Sequence, residues 1–293
     1  MNILVAFDKK YMPHTKVMLA SLRASMPMEK IDVYYLYNEM SENILVRLSD
    51  DLKKNNNINL FPIKVETTPF DNIQVGMHFT IETMYRLVAV SLLPKTLDRI
   101  LWLDGDIIIN HSISKLYYVE FKDATIAACR GRGLIENHNR RLGLSRDHIY
   151  FNAGVVLMNL NKMRENKALE TFIKIMNTYG ERLTFNDQDI LNIAYTGTDI
   201  IYFDSKVYNC QIGRDFKIEK NQLSSFLENC CIMHFAATAK PWNNTYINGL
   251  EKIYWKYALK DKRYIEYIKF ILSAPIVSAY KRFRIRNMKQ YDF

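Results

Sequence analysis

The sequence is poor in the residues that punctuate or cross-link a chain. Its 293 residues include ten glycines, seven prolines and four cysteines. Such low glycine and proline exclude a collagen-like or low-complexity chain, and 48% hydrophobic with 24% charged residues excludes a disordered one. The cysteines, at 129, 210, 230 and 231, form no C-x-x-C pair, and two of them are adjacent. That spacing suits neither a zinc cluster nor a disulfide framework, and it points to a reducing, cytosolic compartment. No signal peptide is legible at the N-terminus. Asp8, Lys9 and Lys10 interrupt the first apolar run before it reaches the length of a signal core, so that run reads as a strand.

The net charge is +9, and it is unevenly placed. Residues 252–293 hold eleven Lys or Arg against Asp261, Glu266 and Asp292, whereas the preceding 251 residues are nearly neutral. A nucleic-acid-binding body is therefore excluded, and the tail needs its own explanation.

Apolar, β-branched runs alternate with helical patterns. Strands are expected at 3–7, 31–37, 58–63, 99–103, 125–129, 155–159, 200–203 and 231–235. Helices are expected after Pro13, from Ser41, over 79–93 ending at Pro94, and over 161–179 closed by Gly180. This alternation gives an α/β fold of one large domain, 1–245, followed by a basic helical segment, 246–293.

In open α/β sheets, ligands bind beyond the carboxyl ends of the strands. Asp8 follows the first strand, and Asp104-Gly105-Asp106 follows the apolar run 99–103. In an extended stretch, residues i and i+2 point the same way, so Asp104 and Asp106 could address one cation together. An Asp-Gly turn is the plain alternative. His234 closes another expected strand and Lys240 follows six residues on. Oxygen ligands with one imidazole suit Mn²⁺ or Mg²⁺ better than Zn²⁺, and the lysine could neutralise a phosphate.

Five blocks, in order over about the first 245 residues, resemble the glycosyltransferase family 8 of retaining, UDP-sugar-dependent enzymes. They are Val5-Ala6-Phe7-Asp8; His78 with Thr83-Met84-Tyr85-Arg86-Leu87; Leu101 to Asp106; Phe151-Asn152-Ala153-Gly154-Val155 with Asn186 to Asn192; and His234 to Trp242. The resemblance implies a GT-A fold, a Rossmann-like mixed sheet flanked by helices, with a small basic C-terminal appendage. It implies Asp104, Asp106 and His234 as ligands of Mn²⁺ or Mg²⁺. Donor contacts would come from Ala6, Asp8, Arg86, Asp104, Gly105, Asn152, Ala153, Ala237 and Lys240. Gln188 and Asp187 would stand at the reacting carbon. Ala237 replaces a family glycine, Lys10 a common asparagine, and Arg130-Gly131-Arg132-Gly133 an aspartate found in relatives that add galactose to lactose.

The implied activity is retaining transfer of galactose or glucose from a UDP-sugar to a glycan or lipid-linked acceptor. Retention normally needs a carboxylate nucleophile, and Gln188 stands where one would be. Front-face substitution is therefore expected, with the leaving phosphate taking the acceptor's proton. Two rivals remain at this level: a metal-dependent nucleotidyltransferase or phosphohydrolase, and a membrane-binding interaction module. The tail mixes Tyr254, Trp255, Tyr264, Tyr267, Phe270 and Tyr280 with its basic residues and is too polar to span a bilayer. It is expected to hold the enzyme on the anionic inner face of the cell membrane, with no nucleic-acid partner.

Overall fold

The computed structural model describes residues 1–71, 81–132, 135–213, 216, 218–236, 240–243, 249–260 and 265–269. Among these, β1 (Asn2–Ala6), β2 (Ile31–Tyr37) and β3 (Ile58–Lys64) run parallel to one another and to β4 (Arg99–Leu103). Two helical crossovers, α1 (Met12–Ser25) and α2 (Glu42–Asn56), join the first three strands, as parallel neighbours require. A 3₁₀ turn, Ile81–Met84, leads into α3 (Tyr85–Leu92), which feeds β4. Four of the five β4 residues are buried, as a central strand covered on both faces requires.

After β4 the chain turns directly into the short strand β5 (Ile107–Ile109) and helix α4 (Ser114–Tyr117). Beyond them, β6 (Ile126–Arg130), α5 (Ile135–Arg141) and β7 (Phe151–Asn159) follow. β7 is antiparallel to both β4 and β6, so the large sheet is mixed, in the order β3-β2-β1-β4-β7-β6-β8 with β8 at Ile200–Phe203. β7 begins at Phe151, four residues before the expected start at 155. Asn152 and Gly154 weaken the strand pattern in sequence, but pairing of Phe151 and Asn152 with Arg130 and Cys129 holds them extended. The register shifts between Ala128 and Cys129, a bulge that re-aims the start of β7.

The helix expected over 161–179 is two helices, α6 (Leu160–Glu165) and α7 (Ala168–Tyr179). Lys167 stands at φ +49 between them. The break keeps Leu160 and Met163 of one helix and Phe172 of the other all facing the same apolar core. Gly180 closes α7 at φ +42, as expected. α8 (Asp187–Ala194) and α9 (Ser205–Tyr208) flank β8.

A second sheet, not anticipated as such, has the order β5-β10-β9, with β9 at Cys210–Gln211 and β10 at Ile232–His234. α10 (Leu223–Asn229) precedes β10. The segment expected as an appendage includes α11 (Glu251–Ala258), whose Tyr254, Trp255 and Ala258 pack with Ile108 and Met233 of this small sheet. His14 of α1 also bonds the Tyr254 hydroxyl at 2.8 Å. Full burial of each such large side chain contributes about 1.5–3 kcal/mol, so α11 is bound into the core. The four cysteines are free thiols.

Candidate active site and metal centre

The two sheets meet at the Asp104–Asp106 turn. Asp104 leaves the large sheet, its amide donating to Gly154 O at 2.9 Å. Asp106 enters the small one, its carbonyl accepting from Phe235 N at 3.0 Å. The two carboxylates converge through this turn, and not through the extended i, i+2 geometry expected. Gly105 is required inside it, because a Cβ there would lie 2.5 Å from Thr15 Oγ1 and 3.0 Å from the Tyr11 ring.

β10 pairs antiparallel with β5, placing His234 opposite Ile107. Its Nε2 lies 3.2 Å from Asp106 Oδ1 and 3.8 Å from Asp104 Oδ2. Asp106 Oδ1 is buried with no hydrogen-bond donor among the described residues. An orphaned carboxylate oxygen facing an imidazole nitrogen is the arrangement a divalent cation satisfies, so the donor set fits one. Lys240 pairs with Asp106 Oδ2 and also donates to Phe235 O at 2.7 Å. Burial pushes the Asp106 carboxyl up, but the Lys240 ammonium against it overrides that and holds it far below the usual carboxylate range. Ala237, like His78, lies outside the described residues.

Arg86 ties this centre to the next group of residues. It is 2% exposed, and its guanidinium meets Asp104 Oδ1 at 3.1 Å and Asp187 Oδ2 at 2.9 Å. It also donates to Ala153 O and Thr83 O and lies 4.1 Å over the Trp102 ring, whose N–H donates to Asp104 Oδ1 at 2.7 Å. Its donors are thus directed at the site's carboxylates and backbone. Despite that ion pair, burial pushes the Asp187 carboxyl up to about 6, with the Asp104 charge adding to the rise.

α8 carries the remaining expected residues on its first turn. Asn186 precedes it at φ +41, a strained backbone of the kind found where a site must be held rigidly. Gln188 Oε1 accepts from Asn152 Nδ2 at 2.9 Å and from Ala153 N at 3.0 Å. Asp189, 0% exposed, faces inward to His138, Tyr150 and the amides of Thr184 and Phe185. Gly154 lets all this close up, since a Cβ there would collide with the His234 ring and stand 2.8 Å from Asp104 Oδ2.

Ala6 ends β1 and Asp8 follows it. The Asp8 carboxylate accepts from Tyr11 N at 2.7 Å, starting α1. A cavity of about 700 Å³ opens beside it between Lys10, Tyr35, Tyr37, Asn38 and Glu82, floored by Phe7 stacked on Tyr35 at 4.0 Å. At the opposite end Gln211, paired with His234, grips the loop after β6. Its amide donates to Arg130 O and accepts from Arg132 N, both at 3.2 Å. Sequence reasoning missed Asn209, Tyr150 and His138, which no motif or periodicity marks.

A cavity over the ends of β1 and β2, a cluster of Asp104, Asp106 and His234 that could hold a cation, and a polar group at β7 and α8 are laid out on a fold of the GT-A type. The model of Glycosyl transferase family 8 matches residues 2–246, and the chain belongs to that family. It is 23% identical over 268 residues to the lipopolysaccharide 1,2-glucosyltransferase of Escherichia coli K12, covering 89% of this chain and 78% of that one. It is 22% identical over 293 residues to the lipopolysaccharide 1,3-galactosyltransferase of Salmonella typhimurium, covering 98% and 85%. The crystal structure of galactosyltransferase LgtC in complex with donor and acceptor sugar analogues superposes with a TM-score of 0.75 at 24% identity, covering 89% and 96%.

Proposed function

We propose that this glycosyltransferase moves a hexose, galactose or glucose, from a UDP-sugar to a glycan or lipid-linked acceptor with retention of anomeric configuration. The observation that carries the reading is the convergence of Asp104, Asp106 and His234, from two sheets, on one point beside Lys240. These three would hold Mn²⁺ or Mg²⁺, which supplies positive charge to a leaving diphosphate. Lys240, anchored on Asp106, adds a second positive charge there.

In this reading the substrate follows the order of the strands. The nucleoside fits the cavity at β1 and β2, the diphosphate the β4 turn, and the hexose the Asn152–Gly154 edge of β7 next to Asp187 and Gln188. Arg86 holds Asp104 and Asp187 at a fixed separation. In this reading Gln188, held by Asn152, Ala153 and Tyr150, stands at the reacting carbon, and an amide is a poor nucleophile. That favours a front-face path in which the departing phosphate oxygen takes the acceptor's proton. The acceptor then enters past β6 and the loop gripped by Gln211. The names of the two lipopolysaccharide transferases support a lipid-linked glycan as acceptor.

The basic tail places the enzyme at the cytoplasmic face of a membrane in this reading. No helix among the described residues is long and apolar enough to cross one. Ile265 and Ile268 stand 68% and 55% exposed beside the cationic stretch, a pairing suited to an interface. A donor screen tests the function: incubation with Mn²⁺ and each nucleotide-sugar should release UDP from a UDP-hexose alone, and EDTA should abolish it. Release from a different nucleotide, or undiminished release in EDTA, rejects the assignment, and a β-linked product from an α-linked donor rejects retention.

A further inference from the structure

Asn209 lies between α9 and β9, is 0% exposed, and is not part of any motif. Its amide joins two groups already described. Oδ1 lies 2.9 Å from His234 Nδ1, and Nδ2 lies 2.9 Å from Asn152 Oδ1. The direction of each bond follows from backbone amides, which donate and never accept. Gly154 N–H points at Asn152 Oδ1 at 3.1 Å, so that atom is the acceptor and the Asn209 group facing it is the NH₂. The other end of the Asn209 amide is then its carbonyl oxygen. An oxygen can only accept, so His234 Nδ1 carries a proton. Nε2 is left as the nitrogen facing Asp106 and Asp104, open to a cation or, in its absence, a proton.

The same logic runs in the other direction. Ala153 N–H fixes Gln188 Oε1 as an acceptor, so the Gln188 NH₂ turns to the Tyr150 hydroxyl, 3.1 Å away. That hydroxyl gives its own proton to Asp189 Oδ1 at 2.5 Å. Asp189 is locked by Thr184 N at 2.6 Å, Phe185 N at 2.9 Å and His138 Nε2 at 2.6 Å. The donors therefore all point one way, from His234 through Asn209, Asn152, Gln188 and Tyr150 to Asp189.

We propose that Asn209 is the positioning residue of the metal centre: it holds His234 as the Nδ1–H form with Nε2 turned to the cation. Through Asn152 it also links that centre to the Gln188 amide, whose oxygen Ala153 N–H holds in place. The metal ligand and the amide at the reacting carbon belong to one hydrogen-bonded chain with one permitted polarity. Partners of this kind on the far nitrogen of a ligating histidine orient the ring and support its basicity. The inference rests on the reading of Asp104, Asp106 and His234 as cation ligands.

Two measurements test it, both on the full-length protein. In the metal-free protein at about pH 8, ¹⁵N–¹H spectra of the His234 ring, assigned with His234→Gln, should show a protected Nδ1–H. That proton should exchange rapidly in Asn209→Ala. Mn²⁺ titration by electron paramagnetic resonance, without donor, should show affinity about ten- to a hundredfold weaker in Asn209→Ala than in the wild type. Asn209→Asp still accepts from Nδ1 and should stay within about threefold of wild type for Mn²⁺, while its turnover falls because the donor to Asn152 is gone. Tyr150→Phe, at the far end, should lower kcat and leave Mn²⁺ affinity unchanged. A wild-type His234 protonated at Nε2 and bare at Nδ1 overturns the proposal, as does a folded Asn209→Ala protein with wild-type Mn²⁺ affinity. Should Asn209→Ala fail to fold, the wild-type ring spectrum and Asn209→Asp decide. Wild-type protein that binds no Mn²⁺ rejects the metal reading instead, while the ring spectrum still judges Asn209.

Discussion

The Asp104–Asp106 turn and the start of α8 both bury an aspartate against a basic side chain, and the two aspartates respond in opposite ways. Asp106 is held far below the usual carboxylate range, whereas Asp187 is pushed up to about 6. Asp106 has the Lys240 ammonium to itself and His234 besides, while Asp187 shares one guanidinium with Asp104. Burial raises both, so the number of cations per carboxylate decides the sign. The first region keeps its negative charge at all working pH values, whereas the second carries a carboxylate that takes up a proton on mild acidification.

The most damaging way to break this comparison is Asp106→Asn. It leaves Lys240 in place but removes the charge both partners were arranged around, and UDP release should fall roughly a hundred- to thousandfold or more. A circular-dichroism melt should show the protein still folded. Gly154→Ala attacks the same region by volume alone. The added methyl must displace His234 or Asp104, which should destabilise by about 1–3 kcal/mol and weaken Mn²⁺ binding, both measurable by denaturation and titration.

Asp187→Asn sharpens the contrast through pH. The folded carboxyl titrates about 6 against an ordinary 3.8, so the native state holds an extra proton between these values. The neutral form's contribution is fully present below the unfolded value and is lost as pH rises through about 6, up to about 3 kcal/mol in all. Urea unfolding of the metal-free wild type should therefore show stability falling between about pH 4 and pH 7 relative to Asp187→Asn. Parallel curves for the two proteins would remove the assignment. The smallest effect is expected from truncation after Leu259: UDP release to a soluble acceptor should stay within about twofold, while sedimentation with anionic vesicles is lost.

Part of this arrangement is legible in the amino-acid sequence. The run Arg99–Leu103 reads as a buried central strand because it is apolar after its first residue, and carboxylates at its end must be paired or liganded. Other features are not legible because they depend on contacts distant in sequence. β9 is two residues long and exists because Cys210 and Gln211 pair with Met233 and His234. The early start of β7 depends on its pairing with β6 resuming beyond an irregularity in its own residues 153–155, and the break at Lys167 on which face of α7 meets the core. Asn209 carries no sequence signal at all, since an asparagine before a short strand is ordinary, and its meaning lies in two hydrogen bonds made across the fold.

The indole of Trp102 gives the site a natural optical readout. Its N–H is bonded to Asp104 and one face of its ring lies against the Arg86 guanidinium, so its electrostatic surroundings belong to residues of the candidate site. Any change of charge at Asp104 reaches an emitting ring one hydrogen bond away, and a paramagnetic ion there would quench it at close range. Of the other two indoles of the chain, Trp242 stacks on His14 of α1, and Trp255 meets Tyr254 of its own helix edge-on. Occupancy of the centre is therefore open to observation by unlabelled fluorescence, with two internal emitters nearby against which to read the third.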